Sequence, residues 1–331
     1  MIFNNGETLE KFTFLVTGGG GFIGSNISET LIKSGHTVRV LDNFITGRRE
    51  NLSFVDRLSE DDKIRFSLIE GDIRDVAAVK SAVIGVDFVL HQAALPSVSR
   101  SVENPALSNE INITGTLNVL EAVRECGSIR KIVYAASSSA YGDTEVLPKV
   151  ETMPTNPLSP YALQKHVGEE YMRIYNSIFG VKSVSLRYFN VFGPRQSPKS
   201  IYAAVIPRFI TAFMKGESPV IYGDGEQSRD FTFIDNVVQA NIKAAFSTDD
   251  ANGKVFNVAC GNRYSLNELL HILEGIFGKK ANAVYEKART GDVKHSLADI
   301  SKAQKYFGFA PEVRFEEGIQ KTVDYFLKGG I

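Results

Sequence analysis

Residues 12–25 read FTFLVTGGGGFIGS, a short apolar run that passes through a glycine turn into a segment carrying Ile27, Leu31 and Ile32. The run has the length and the Phe/Val content of a buried strand, and the segment beyond it has the three-to-four spacing of an amphipathic helix. Gly18, Gly21 and Gly24 form a GxxGxxG pattern at the junction, the last two flanking Phe22 and Ile23. Glycine at such positions lets the backbone bend tightly, approach a pyrophosphate and pack helix against strand, while the helix N-terminus offers unpaired N–H groups and positive potential. A glycine triplet alone predicts a plain loop; between a strand and a helix it predicts nucleotide binding.

Working outward, strand-like runs recur at 37–42, 64–71, 86–91, 131–137 and 182–188, with helical patterns between them. Such alternation predicts βαβ units, hence an α/β fold with a doubly wound parallel sheet of the Rossmann kind over residues 1–187. Residues 188–331 are richer in turns and predict a smaller C-terminal α/β substrate domain, with segments at about 230–260 returning to the first domain. The second strand ends at Asp42, eighteen residues past Gly24, where a carboxylate can accept hydrogen bonds from the ribose hydroxyls of a dinucleotide. Asp42 therefore predicts NAD; Arg48 and Arg49 nearby leave NADP as an alternative, since they can offset a 2′-phosphate. Asp72 and Ile73 in the next βα turn suit an adenine amine and its ring, or else cap the following helix.

Composition narrows the function classes. The chain of 331 residues carries 37 basic and 38 acidic side chains, a net charge of −1 with no long run of one sign, which argues against a nucleic-acid or anionic-membrane surface. The two cysteines, Cys126 and Cys260, lie far apart and lack metal-ligand spacing, so neither a disulfide framework nor a metal site is expected. No signal-like segment and no bilayer-length apolar run is read, and the expected location is the cytoplasm.

Tyr161-x-x-x-Lys165, with Ser137, Ser138 and Ser139 at the end of an earlier strand, carries the sharpest chemistry. Four residues apart on a helix, the phenol and the ammonium share a face. Lowering a tyrosine pKa from near 10 to about 7 needs roughly 4 kcal/mol, and one ammonium at ~4 Å with an effective dielectric of ~20 supplies about that much. Tyr161 can then act as general base toward a sugar hydroxyl that a serine orients. The same helix has a second stripe, Leu163, Val167, Tyr171, Ile174 and Ile178, opposite Tyr161, Lys165, Gly168, Met172, Tyr175 and Phe179. Two apolar faces need two partners, and a homodimer is favoured over a neighbouring helix.

On TGGGGFIGS (17–25), LDNFITG (41–47), GDIRD (71–75), LHQAALPSVSRS (90–101), Asn112, YAASSSAYG (134–142), SPYALQK (159–165), LRYFNVFGPRQ (186–196), YGDGEQSRDF (222–231) and RTGDVKHS (289–296), the chain resembles the extended short-chain dehydrogenase/reductases. Within them it is most similar to nucleotide-sugar 4-epimerases, in particular bacterial UDP-N-acetylglucosamine 4-epimerases, over almost its whole length. The resemblance implies Tyr161 as base, Lys165 as its modulator and nicotinamide-ribose ligand, Ser137 as the active hydroxyl and Asn112 as a structural member of the group. It assigns Asn43, Gly47, Gln92, Ala93, Ala94 and Val191 to the cofactor, and Ser97, Ser99, Ser138, Val205 and Tyr222 to the substrate. Asn190, Arg229, Arg289 and Asp292 would hold the UDP moiety, arginine's fork suiting a diphosphate.

Ser138 and Ser139 stand where related 4,6-dehydratases carry an Asp-Glu pair, and without an acid and a base there water elimination lacks its proton carriers. Small Ser296, at the position where a tyrosine confines family members to sugars without an acetamido group, implies an N-acetyl-hexosamine substrate. The expectation is therefore a UDP-N-acetylglucosamine/UDP-N-acetylgalactosamine 4-epimerase that works through a 4-keto sugar with retained NAD. Epimerases of UDP-glucose or UDP-glucuronate, a UDP-glucuronate decarboxylase, a net dehydrogenase and a catalytically silent dinucleotide sensor are the alternatives.

Overall fold

The computed structural model describes residues 10–198, 205–288 and 294–330. Six strands, β1 (Thr13–Thr17), β2 (Thr37–Asp42), β3 (Phe66–Glu70), β4 (Phe88–His91), β5 (Lys131–Ser137) and β6 (Ser183–Tyr188), form one parallel sheet with the edge strand Lys254–Val258. From that edge the order runs β6, β5, β4, β1, β2, β3, so the winding reverses between β1 and β4. In open parallel sheets a crevice forms at such a reversal, outside the carboxyl ends of the strands. Period-two alternation explains why both faces are covered: Phe14 and Val16 of β1 enter one apolar core, and Leu15 between them enters the other.

The first core continues without a break from Phe14 through Phe256 to Phe192, Phe209, Phe315 and Phe326, so the later residues share packing with the sheet. Lys254–Val258 pairs parallel with β6, and the helix Ile234–Ala245 packs on β5 and on the helix α1 (Phe22–Lys33). Within the segment 230–260, Thr232–Phe233 pairs with Val191–Phe192 outside the main sheet. Tyr264–Ser265 joins Ser228–Arg229 antiparallel, and Val284–Glu286 joins Val220–Tyr222 parallel. Among the described residues no helix is long and apolar enough to cross a membrane, and no cluster of metal-binding side chains occurs.

The helix Pro160–Phe179 starts where Ser159 Oγ accepts from Ala162 N at 3.1 Å, with proline at the first helical position, and ends at Gly180 in the left-handed conformation. Lys165, Gly168, Met172 and Tyr175 are buried against the sheet, while Leu163 and Ile178 of the opposite stripe are exposed. Gly168 sets how closely this helix approaches β5: a Cβ there would lie 2.2 Å from the hydroxyl of Tyr134, a fully buried side chain with no room to withdraw. Gly168→Ala is expected to destabilise the protein by about 1–3 kcal/mol, read as a lower urea midpoint. An unchanged midpoint would contradict this packing.

Candidate active site

β1 ends at Thr17, whose neighbours across the sheet are Leu41 on β2 and His91 on β4, so three strand ends meet at the turn. Gly18 has φ +71°, and a Cβ on it would lie 2.7 Å from Ala93 Cα. A Cβ on Gly24 would lie 2.3 Å from the Gly18 carbonyl oxygen. No side chain caps the first turn of α1, whose N-cap is Gly21. The backbone thus forms a cradle that any side chain would fill, the form a pyrophosphate needs.

The cleft outside this cradle is lined by Gly18, Gly21, Phe22, Ile23 and Gly24, by Asp42 and Asn43, by Asp72 and Ile73, and by Gln92, Ala93 and Ala94, ending at Tyr161 and Lys165. Asp42 accepts from Gly20 N at 2.8 Å and Phe44 N at 2.7 Å, and burial pushes its carboxyl above the ordinary value. Gly47 packs its backbone against the same carboxylate, where a Cβ would meet Oδ1 at 2.9 Å. Arg49 pairs with Glu70 at 2.5 Å, and Arg48 donates to Asn51 and to the Arg195 carbonyl. Both arginines are engaged elsewhere, which favours a ribose with free hydroxyls over a 2′-phosphate. Asp72 is held below the usual carboxylate range by Arg74 and also accepts from Asn43 Nδ2 at 2.6 Å. The helix cap falls to Asp75, which accepts from Ala77 N at 2.9 Å.

At the far end, Lys165 Nζ donates to the Ala135 carbonyl at 2.7 Å and lies 4.8 Å from the Tyr134 ring centroid. Burial pushes this ammonium down to about 7, with Glu169 opposing. Burial pushes the Tyr161 phenol up, and a hydrogen bond with Ser137 pulls it back. Desolvation counts against the charged form of each group, and Lys165 Nζ is turned to the Ala135 carbonyl of β5. Ser137 Oγ also caps the turn Ser138–Tyr141, accepting from Ser139 N at 3.2 Å and lying 2.8 Å from Ser139 Oγ. Asn112 sits in the π-helical segment Glu110–Gly115, a form in which hydrogen bonds span one extra residue. Its Oδ1 accepts from Leu95 N at 2.7 Å and its Nδ2 donates to Gln164 Oε1 at 2.9 Å, tying the loop after β4 to the catalytic helix.

A second pocket is lined by Asn190, Val191, Val205 and Arg229 together with Phe192, Gln227 and Phe231. Val191, expected at the cofactor, lines this pocket, on a short strand paired with Thr232–Phe233. Asn190, with φ +36°, donates from Nδ2 to Ser296 Oγ at 3.4 Å, which brings the 294–298 loop to the pocket wall. Asp230 staples three loops here, accepting from Cys260 N at 2.9 Å, Gly261 N at 3.1 Å and Ala298 N at 3.2 Å; burial pushes its carboxyl up to about 7. Ser97 and Ser99 line neither pocket: Ser97 Oγ accepts from Arg100 N at 3.4 Å as a helix cap, and Ser99 is exposed. Tyr222 lies outside the lining, its carbonyl accepting from Gln227 Nε2 at 2.5 Å. Arg289 and Asp292 fall outside the described residues.

Two neighbours of the site escaped the sequence reading. Tyr188 lines the first cleft and donates to Gln92 Oε1 at 3.1 Å, and Asn241 Nδ2 reaches the same hydroxyl at 2.8 Å. His91 is sealed between Thr17 Oγ1 at 2.6 Å and Thr116 Oγ1 at 3.0 Å, and burial holds it neutral, down to about 3. Strand ends are where such residues collect, and both lie within quoted motifs, LRYFN and LHQAA.

The cradle makes a direct prediction. Gly24→Ala is expected to lower NAD retention by roughly 10-fold or more, about 1.4 kcal/mol, measured as nucleotide released per folded chain; a full complement of NAD would contradict it.

Residues 14–259 match the model of the NAD dependent epimerase/dehydratase family. A putative UDP-glucose 4-epimerase of Methanocaldococcus jannaschii is 42% identical over 313 residues, 94% of this chain and 97% of its own. The UDP-N-acetylglucosamine 4-epimerase of Methanobrevibacter ruminantium, solved with UDP-N-acetylmuramic acid, superposes with a TM-score of 0.90 at 41% identity, covering 97% of this chain and 100% of that one. The UDP-glucuronic acid 4-epimerase of Bacillus cereus, solved with UDP-glucuronic acid and NAD, superposes with a TM-score of 0.86 at 32% identity, covering 96% and 99%. The chain belongs to the NAD-dependent epimerase/dehydratase family, as an enzyme whose cofactor is NAD.

Proposed function

We propose that the protein interconverts UDP-N-acetylglucosamine and UDP-N-acetylgalactosamine by inverting carbon 4 of the sugar. The observation that carries the reading is Tyr161 and Lys165 lining the same cleft as the glycine turn and Asp42, with Ser296 held by Asn190 at the wall of the second pocket. The glycine cradle, Asp42 and Lys165 hold NAD, which supplies the hydride acceptor and donor at carbon 4. Tyr161 Oη takes the proton of the sugar 4-hydroxyl, and Ser137 orients the same oxygen. Asn190 and Arg229, with Arg289 and Asp292, hold the UDP moiety while the 4-keto sugar turns and offers its other face. Tyr161 then returns the proton, so the stereocentre is inverted with no net redox change.

The three relatives named above carry the names of a putative UDP-glucose, a UDP-N-acetylglucosamine and a UDP-glucuronic acid 4-epimerase. Ser296 favours the acetamido sugar, because a small side chain beside Asn190 leaves room that a phenol would take. Offered UDP-N-acetylglucosamine, UDP-glucose and UDP-glucuronate side by side, the protein is expected to epimerise the first fastest, releasing no carbon dioxide and accumulating no NADH. Ser296→Tyr is expected to lose the acetamido sugar by roughly 100-fold or more in kcat/KM, about 2.7 kcal/mol, and to keep UDP-glucose. Preference for UDP-glucose in the parent, or an unchanged ratio in the variant, would contradict the assignment.

The exposed stripe through Leu163 and Ile178, with Val98 and Val102 on the adjoining helix Val98–Glu103, is the face through which the protein forms a homodimer. Light scattering is expected to give twice the chain mass, falling to the chain mass in Leu163→Glu/Ile178→Glu. A monomeric parent would contradict it.

A further inference from the structure

Glu169 stands one helical turn beyond Lys165 and is 1% exposed. Its Oε1 accepts from Arg187 Nε at 2.9 Å and its Oε2 from Arg187 Nη2 at 2.7 Å, a two-pronged pair sealed between the helix and β6. His166 Nδ1 lies 3.2 Å from the same Oε2. Arg187 is fixed in turn, its guanidinium 4.5 Å from the Tyr141 ring centroid, and Tyr141 donates to Asn257 Oδ1 at 2.7 Å. A buried ion pair gains little stability over a well-packed apolar pair, because desolvation offsets its attraction. Its placement behind Lys165 gives it another use.

The titratable groups around Lys165 are Tyr161 and Glu169 from its own helix, Tyr134 from β5 and His91 from β4; Arg187 on β6 and His166 on the helix face Glu169. His91 is neutral and both phenols are uncharged, so among the described residues Glu169 is the carboxylate whose field acts on the ammonium. We propose that Glu169, clamped by Arg187, is a positioning residue that keeps the Lys165 ammonium charged and thereby holds the Tyr161–Lys165 pair in its working protonation state. This rests on the reading of Tyr161 as base and Lys165 as its charge partner.

The sign follows from electrostatics. A nearby negative charge favours the protonated form of an amine, so its removal lets Lys165 lose its proton at lower pH. In Glu169→Gln, an NMR titration of lysine side chains, with the Lys165 signal assigned by Lys165→Met, is expected to show the midpoint lower by about one pH unit or more. The alkaline limb of the pH–rate profile is expected to move the same way. Glu169→Asp, which keeps the charge, is expected to leave the midpoint near the parent's, whereas a merely structural Glu169 would lower activity equally at every pH. Should Glu169→Gln not fold, Glu169→Gln/Arg187→Met leaves no orphaned ion and is expected to show the same direction of shift. An unmoved Lys165 midpoint in the folded variant overturns the proposal. Turnover that survives Tyr161→Phe would overturn the base assignment alone, since the Lys165 titration reads Glu169 without any catalysis.

Discussion

The contact between Gly168 and the Tyr134 hydroxyl governs where the catalytic helix lies. Without a Cβ at Gly168 the helix rests directly on the buried ring, and Tyr134 in turn donates to the Lys165 carbonyl at 3.4 Å. That height brings Lys165 Nζ to the Ala135 carbonyl and the Tyr161 phenol to Ser137, two strand-end groups of β5. Asn112, through Gln164, fixes the same helix from its other side. Chemistry that requires placement to a fraction of an ångström is thus carried by packed elements rather than by loops.

Desolvation is the second constraint. It raises Tyr161 and lowers Lys165, so burial alone drives both groups toward their uncharged forms. The Ser137 hydrogen bond opposes it at the phenol and Glu169 opposes it at the lysine. Arg187 compensates Glu169, so the region behind the cleft stays close to neutral. The nucleotide end works differently: there Asp42 and the glycine backbone act through hydrogen bonds and close approach, and the nearby arginines are turned to Glu70, Asn51 and the Arg195 carbonyl.

Much of this was legible in the chain. Strand-length apolar runs and the glycine turn specify the sheet and its cleft, because burial on both faces and a tight turn leave direct marks on residue type. Tyr161 and Lys165 share a helix, so their spacing suffices to place them together. Contacts that cross between distant segments left no such mark. The Glu169–Arg187 pair joins a helix to a strand, Asp230 joins three loops, and the Asn241–Tyr188 contact joins a returning helix to β6. The pairing of Val191–Phe192 with Thr232–Phe233 left no mark either, because partners of two-residue strands are set by tertiary packing and not by alternation.

The account stands on a single phenol acting at the end of the NAD cleft. Tyr161→Phe removes one oxygen and keeps the ring, so folding and NAD content can be matched to the parent before turnover is measured. A fall in kcat of about 10²-fold or more, the scale of lost general-base catalysis, is the result expected with UDP-N-acetylglucosamine. Near-parental turnover in that matched protein would contradict it.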